Sequence, residues 1–361
     1  MIDGLIRKTT IVSLCFSAVA IGFIMFFSAT KTIEISNLSQ DEVLASTKLE
    51  EDNMAQGLEA IAVDSKDVRE NELKFSDDNA NTEYLCIPLP EKTKVEDILI
   101  ENHYMDGILY VIIPDEDKEF YQNTVLDGNR RSITGAFLEE EDGVLKLRFD
   151  LDELYEFKTI LENNTLYISF FKPRELYDQI VVIDPACGGQ DTGDSLGEQL
   201  EKDINLSVAK ALKTKLDATG IKVYYTRMDD VNPSLEARID IANKSKADAY
   251  IRIETDYKDD SQIYGVTAVY NDEYFIPGFG NVELSDLLER EIVTSVKGKA
   301  LGIEVAGERD YTLKYATVPA TIIRVGCLSN TQEAILLGRE DYINRIADGM
   351  FQAIMKMYEG K

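Results

Sequence analysis

The sequence predicts an α/β domain in the C-terminal half, with a mostly parallel sheet and flanking helices. From residue 179 onward, short β-branched runs alternate with segments whose apolar residues recur at helical spacing. Strands that alternate with helices in this way favour parallel pairing. A small β-rich domain is predicted before it, because residues 82–171 contain short β-like runs separated by turn signals. Near the N-terminus, one long uncharged apolar segment predicts a transmembrane helix.

Length and composition limit the classes of protein to consider. The chain has 361 residues, enough for two domains at roughly 150 residues each. Its hydrophobic content of 44% is ordinary for a globular protein and excludes a fibrous or wholly disordered chain. The formal net charge is −28, and such an acidic surface repels phosphate backbones, which excludes nucleic acid as the main partner. A single histidine, His103, excludes any site that needs two.

The apolar segment covers residues 11–29 and follows Arg7 and Lys8. At about 1.5 Å per residue a helix of this length spans about 28 Å, close to the hydrocarbon thickness of a bilayer. The basic residues before it and the acidic chain after it predict a single-pass anchor with its N-terminus inside the cell and the rest outside. A cleaved signal peptide is the alternative, although its apolar core usually has only about 7–15 residues.

Four regions follow from these patterns. Residues 1–30 are the cytoplasmic tip and anchor, and residues 31–75 are an acidic, partly helical spacer. Residues 76–174 form the β-rich domain, and residues 175–361 form the α/β domain. His103 lies near a predicted turn of the β-rich domain, and we interpret it as a surface residue without a role. Three hairpins are predicted in that domain, pairing residues 97–100 with 108–113, 137–138 with 144–149, and 155–161 with 166–171.

The elements of the α/β domain can be placed from apolar spacing and turn residues. Ligands in such sheets bind beyond the carboxyl ends of the parallel strands. The loop at 271–281 is interpreted as an ordinary surface loop, with a place at the rim of the cleft as the alternative. Strands are predicted at 180–183, 221–226, 249–253 and 321–325, and helices at 201–216, 235–246, 284–294 and 341–357.

The segment Asp184-Pro-Ala-Cys-Gly-Gly189 follows the first of these strands. From residue 180 to the C-terminus the chain resembles the catalytic domain of zinc-dependent N-acetylmuramoyl-L-alanine amidases of type 3. These bacterial enzymes cut the amide bond between MurNAc and the peptide stem of peptidoglycan. The β-rich region resembles the AMIN type of domain, which is associated with cell-wall targeting. Further matching segments are Glu201-Lys-Asp-Ile-Asn-Leu206, Thr226-Arg227, Leu235-Glu-Ala-Arg238, Ala242-Asn243, Ala247-Asp248, Val318-Pro-Ala320 and Gly326-Cys-Leu-Ser-Asn330.

The resemblance implies a site of four residues, three of which differ here. The first zinc histidine of the family falls on Cys187, and the second falls on Glu254. The zinc glutamate is retained as Glu201, and the catalytic glutamate falls on Arg324. By the same resemblance, the pocket around these positions includes Asp184, Gly188, Asn243 and Asn330.

The change to Arg324 is the most consequential, because a guanidinium stays charged and cannot take a proton from water. At roughly 5 Å and an effective dielectric near 20, its repulsion with a divalent cation is roughly 7 kcal/mol. We therefore expect no zinc, and an Arg–carboxylate cluster of Arg324 with Glu201 and Glu254 in its place. The alternative is that Arg324 points elsewhere and the pocket is vestigial. Thiolate and carboxylate are acceptable zinc ligands taken singly, so an atypical metal site also stays open.

A cysteine hydrolase is not expected, because Cys187 has no histidine in its domain to activate it, although Lys202 or Arg324 would lower its pKa. The sequence therefore predicts a cell-wall protein of the bacterial membrane that is catalytically inactive and needs no cofactor. Such a protein binds peptidoglycan, or acts as a scaffold or regulator through another cell-wall hydrolase or a division protein. An active peptidoglycan amidase is the alternative.

Overall fold

The computed structural model describes residues 71–76, 83–114, 118–141, 143–273, 275–308 and 310–359. The predicted anchor at 11–29 and the spacer up to residue 70 lie outside these ranges. Within them, no helix combines the length and the apolar character needed to cross a bilayer.

The β-rich region consists of two sheets that share one apolar core. Their strand orders are β1-β5-β2-β9-β8 and β3-β4-β7-β6. Leu85 and Ile168 from the first sheet and Val111 and Leu147 from the second are each completely buried in that core. The strands are β1 (Lys74–Phe75), β2 (Tyr84–Pro88), β3 (Leu99–His103), β4 (Ile108–Pro114), β5 (Val125–Gly128), β6 (Ile133–Glu141), β7 (Val144–Leu151), β8 (Glu156–Glu162) and β9 (Thr165–Phe171), with helix α1 (Lys118–Asn123) before β5.

The three predicted hairpins are confirmed as the antiparallel pairs β3–β4, β6–β7 and β8–β9. The turn of the third is formed by Asn163 and Asn164, whose φ angles are 50° and 55°. Asparagine tolerates this left-handed conformation better than most residues, and two such residues in a row match the right-handed twist of the flanking strands. The turn chemistry in the sequence therefore fixes the register of this hairpin.

The C-terminal region is a six-stranded sheet between two layers of helices, with the order β13-β10-β14-β17-β15-β16. Helices α3, α5 and α8 pack on one face, and α4 and α6 pack on the other. The elements are α2 (Pro173–Leu176), β10 (Ile180–Pro185), β11 (Ser195–Leu196), β12 (Gln199–Leu200), α3 (Glu201–Leu216), β13 (Lys222–Tyr225), α4 (Leu235–Ser245), β14 (Ala249–Asp256), β15 (Val266–Tyr270), α5 (Asn281–Val296), β16 (Ala300–Val305), α6 (Tyr311–Tyr315), β17 (Ala320–Cys327), α7 (Thr331–Leu337) and α8 (Glu340–Glu359).

The predicted parallel sheet is right for the four strands β13, β10, β14 and β17. Strand β15 runs antiparallel to β17, and β16 runs parallel to β15, so these two strands point the other way. Neither was predicted. Because β15 is reversed, the loop at 271–281 leaves the sheet at the edge opposite the crevice. There Asn281 accepts a hydrogen bond from the backbone N–H of Ala320, where β17 begins. This loop is therefore not part of the cleft rim.

The two regions meet at the outer edge of β13. The hydroxyl of Tyr104, in the turn after β3, donates to the carbonyl of Tyr225 at 2.8 Å and accepts from its N–H at 3.1 Å. The buried carboxylate of Glu156 accepts from the hydroxyl of Tyr224 at 2.5 Å and pairs with Lys222 at 2.7 Å. An edge strand with free backbone groups is prone to pair with other chains. The β-rich region therefore covers an edge of the α/β sheet.

Candidate functional site

The crevice at the carboxyl ends of the parallel strands is built around the buried carboxylate of Asp184, at the end of β10. Arg238 from α4 donates to it at 2.5 Å and Arg252 from β14 donates at 2.7 Å. The hydroxyls of Thr226 and Tyr250 also donate to it. Burial alone would raise the pKa of Asp184, but Arg252 and Arg238 hold this pKa well below its usual value. Asp184 is therefore ionised and fully hydrogen-bonded inside the protein.

From Asp184, side chains of alternating charge form a row of ion pairs across the sheet toward solvent. Arg252 donates through Nε to Glu254 Oε1 at 2.8 Å. Glu254 Oε2 lies 3.9 Å from Arg324 Nε, and Arg324 Nη1 lies 3.5 Å from Glu304 Oε2. The register explains this order, because Glu254 on β14 stands directly opposite Arg324 on β17. We call the set the charge chain, which consists of Arg238, Asp184, Arg252, Glu254, Arg324 and Glu304.

Beside the charge chain, Cys187 and Glu201 come together at Gly193. A Cβ added at Gly193 would lie 2.5 Å from Glu201 Oε2 and 2.9 Å from Cys187 Sγ, so only glycine fits between them. Glu201 begins α3, and its carboxylate accepts backbone N–H groups from Asp194 and Thr255, each at 3.0 Å. The carboxylate of Glu201 is thus held by the backbone rather than by an arginine.

The thiol of Cys187 is protonated at neutral pH. Burial, with the carboxylates of Glu201 and Asp191, raises its pKa to about 12. Arg252 is the cation that lowers this pKa, rather than Lys202 or Arg324 as expected from the sequence, and Lys202 pairs with Asp230 at 2.7 Å. A thiol without thiolate character is a poor nucleophile, so the environment of Cys187 does not favour a cysteine hydrolase.

The residues at the four family positions do not fit a zinc site. Zinc binds in a tetrahedral arrangement of thiolate, imidazole or carboxylate ligands at about 2.0–2.3 Å. Both oxygens of Glu201 accept backbone N–H groups, and the guanidiniums of Arg252 and Arg324 flank Glu254. In the part of the chain that the structure describes, no group of three or more His, Cys, Asp or Glu residues is arranged to hold a metal ion.

The predicted Arg–carboxylate cluster forms with different members. Arg324 does point into the crevice and faces Glu254, but its second partner is Glu304 rather than Glu201. Glu304 could not be proposed from the sequence, because strand β16 was not predicted. The place of Arg252 in the cluster was also missed. Its alternation with Glu254 along one strand was the available signal, since residues two apart share a face of the sheet.

The four predicted pocket residues lie in different places. Asp184 is buried beneath the crevice, and Gly188 has a φ of 137° with no room for a Cβ. Asn330 caps the N-terminus of α7 through its side-chain oxygen, at the crevice edge of the sheet. Asn243 is not in the crevice, because its side chain donates to the carbonyl of Tyr315 at the opposite edge. Its position at the C-terminal end of α4 explains this, since that helix returns to the start of the next strand.

The histidine and the cysteines of the described residues lie as follows. His103 lies at the end of β3 and contacts Glu101 at 2.8 Å, in the β-rich region. Cys86, Cys187 and Cys327 are free thiols, so no disulfide joins the last two. Neither the histidine nor a disulfide contributes to the crevice.

The chain is similar to N-acetylmuramoyl-L-alanine amidases over its C-terminal half. Residues 181–356 match the family model described as N-acetylmuramoyl-L-alanine amidase. The germination-specific N-acetylmuramoyl-L-alanine amidase of Bacillus subtilis is 29% identical over 224 residues, which cover 58% of this chain and 91% of that protein. N-acetylmuramoyl-L-alanine amidase LytC of Bacillus subtilis is 26% identical over 180 residues, 50% of this chain and 36% of LytC, so the chain spans about a third of LytC. A crystal structure of an N-acetylmuramoyl-L-alanine amidase from Clostridium difficile 630 aligns with 30% identity and a TM-score of 0.47, over 51% of this chain and 98% of that one.

Proposed function

We propose that the chain is an inactive member of the N-acetylmuramoyl-L-alanine amidase family, whose model it matches over residues 181–356, and that it binds peptidoglycan without cleaving it. The observation that carries this proposal is the charge chain across the crevice, with Arg324 between Glu254 and Glu304. Hydrolysis of an amide requires a group that takes a proton from water. Arg324 stands at the family position for that group and cannot accept a proton.

The same arrangement argues against zinc. A divalent cation close to Arg324 would be repelled by roughly 7 kcal/mol at about 5 Å and an effective dielectric near 20. A structural zinc site in a small protein is worth about 10–16 kcal/mol, so this repulsion removes a large part of the binding free energy. Arg252 and Arg324 already neutralise Glu254, and the charge chain needs no metal to be balanced.

The proposal for the whole chain adds the regions outside the crevice. In this proposal residues 11–29 anchor the chain in the bacterial cell membrane, and the acidic segment from residue 31 separates the anchor from the folded part. The AMIN-like region at 76–174 and the amidase-like region at 175–361 then face the cell wall, where the protein binds peptidoglycan and acts as a scaffold or regulator. Another cell-wall hydrolase or a division protein is the expected protein partner. Release after signal cleavage is the alternative location.

An active amidase is the second candidate function, and one observation favours it. Glu201 is retained, and its carboxylate adjoins the thiol of Cys187 at Gly193, which leaves two possible metal donors side by side. In this case the chain would bind a metal in an atypical site and cut the MurNAc–L-Ala amide bond.

A metal and activity measurement on the full-length protein in detergent separates these functions. We expect less than a tenth of an equivalent of zinc by elemental mass spectrometry, no stem peptide released from purified sacculi, and co-sedimentation of the protein with those sacculi. Stoichiometric zinc together with released stem peptide would overturn the proposal in favour of the active amidase. Failure to sediment with sacculi would overturn the binding role.

The matched control rebuilds the family site in the same protein. A variant with Cys187→His, Glu254→His and Arg324→Glu is expected to bind zinc, because two imidazoles then join Glu201 and the guanidinium is removed. Circular dichroism establishes that the variant is folded. A folded variant that binds no zinc would contradict the assignment of these positions.

A further inference from the structure

Arg324 differs from the other arginines of the crevice in how it uses its donors. A guanidinium carries five N–H donors. Arg227 donates to backbone carbonyls, and Arg238 donates to backbone carbonyls and to side chains. Arg252 donates to Asp184 and Glu254. Arg324 makes only its two ion pairs, at 3.5 and 3.9 Å, and no hydrogen bond within the described residues. Its guanidinium is therefore free to take an acceptor group.

The surroundings of Arg324 also have unused hydrogen-bonding capacity. Thr267 on β15 stands directly opposite Arg324 in the register, so the two side chains share one face of the sheet. The hydroxyl of Thr267 is buried and has no hydrogen-bond partner among the residues that the structure describes. Buried polar groups are normally satisfied. Thr267 is completely buried, whereas the side chain of Arg324 is 21% exposed, so Arg324 is the group of this pair that a polar ligand can reach.

The charges within the charge chain limit what a ligand of Arg324 can be. The charge chain has three arginines and three carboxylates, which gives 3 − 3 = 0. A ligand with one net charge would unbalance it, whereas a zwitterion would not. Glu304 is 48% exposed and only loosely paired, so it can turn from Arg324 toward a ligand cation. An arginine with free donors beside a movable carboxylate matches a carboxylate and an ammonium carried close together.

We propose that Arg324 and Glu304 bind an amino-acid head group, with its carboxylate on the guanidinium and its ammonium on Glu304. Arginine recognises a carboxylate through two parallel N–H bonds, which gives geometric specificity as well as affinity. The proposal rests on the proposed function, because it names the part of peptidoglycan that the inactive crevice holds. That part is a stem peptide whose diamino acid ends in a free carboxylate and a free ammonium on the same carbon.

The test measures binding of three stem tripeptides to the full-length protein in detergent by calorimetry. The first ends in meso-diaminopimelate, the second has its side-chain carboxylate amidated, and the third has its side-chain amine acetylated. We expect both modifications to weaken binding at least tenfold. Arg324→Lys should weaken binding of the first peptide at least tenfold, because lysine keeps the charge but loses the planar fork. Arg290→Lys, on the exposed surface of α5, is the control and should bind like the unaltered protein.

The role of Glu304 is tested with the acetylated peptide. Glu304→Gln should weaken binding of the first peptide but leave binding of the acetylated peptide unchanged, because the ammonium that Glu304 would contact is already absent. Binding that ignores amidation and acetylation would overturn the head-group proposal while leaving binding to sacculi, and thus the proposed function, intact. Zinc with stem-peptide release would instead overturn the proposed function.

Discussion

The two ends of the charge chain use the same residue types for opposite purposes. At the inner end, Asp184 is completely buried and accepts hydrogen bonds from two arginines and two hydroxyls. At the outer end, Arg324 is 21% exposed and its two carboxylate partners stay beyond hydrogen-bond distance. A saturated buried group can only support the fold, whereas a partly exposed group with open donors can bind something else. Burial and the number of hydrogen bonds already made, rather than the residue type, therefore decide which of these side chains supports the fold and which can bind a ligand.

The largest loss of stability is expected from Asp184→Asn, at the inner end of the charge chain. The change leaves Arg238 and Arg252 charged inside the protein without their carboxylate, and removing one partner of a buried ion pair costs about 3–5 kcal/mol. Urea unfolding followed by circular dichroism measures this loss in the free energy of unfolding. Arg339→Gln is the control, because its pair with Asp341 is exposed on both sides and contributes little to stability.

Equal losses in Asp184→Asn and Arg339→Gln would contradict the structural role of the inner end. Urea unfolding at lower pH tests the structural role of Asp184 further. Because the pKa of Asp184 is lowered by folding, its contribution is complete above the unfolded value of about 3.9 and is lost as the pH falls below it. The difference in the free energy of unfolding between the unaltered protein and Asp184→Asn should therefore shrink as the pH falls from about 5 to 2.

The reactivity of Cys187 tests whether burial also suppresses the chemistry of a thiol beside the charge chain. With its pKa raised from 9.0 to about 12, the thiolate fraction at pH 8 is roughly a thousandfold lower than for an ordinary cysteine. We expect slow alkylation of Cys187 by iodoacetamide at pH 8, with a rate that rises about tenfold per pH unit up to pH 11. Mass spectrometry of the labelled peptide measures the rate, and the protein unfolded in urea gives the reference. Alkylation as fast as in urea would revive a nucleophilic role.

Local patterns in the sequence were sufficient for much of the fold. The helix at 201–216 has the same bounds in the structure, because its apolar residues keep helical spacing and Gly220 follows its end. The hairpin at Asn163 and Asn164 was fixed by turn residues. Strands β15 and β16 escaped prediction because each is short and lacks alternation, and their reversed direction depends on contacts with β17 that no local pattern encodes.

For the site as well, some residues could be located from the sequence, whereas their partners could not. The resemblance to the amidase family located Cys187, Glu201, Glu254 and Arg324, because the family's motifs can be aligned with this sequence. The partners could not be assigned, because they depend on which strands are neighbours. Glu304 reaches Arg324 only through the order β17-β15-β16. Pairing across strands far apart in the chain is a tertiary property, and the sequence carries it only as the composition of each strand.

The smallest change in the free energy of unfolding is expected from Glu304→Gln, which tests the outer end of the charge chain. Glu304 is 48% exposed and lies 3.5 Å from Arg324, so its loss should change the free energy of unfolding by less than about 1 kcal/mol. Urea unfolding at low and high salt measures it, and added salt should reduce even this difference, because exposed pairs are screened. A loss as large as that of Asp184→Asn would mean that the outer end is structural as well. The open donors of Arg324 would then serve the fold, and the crevice would have no group reserved for a ligand.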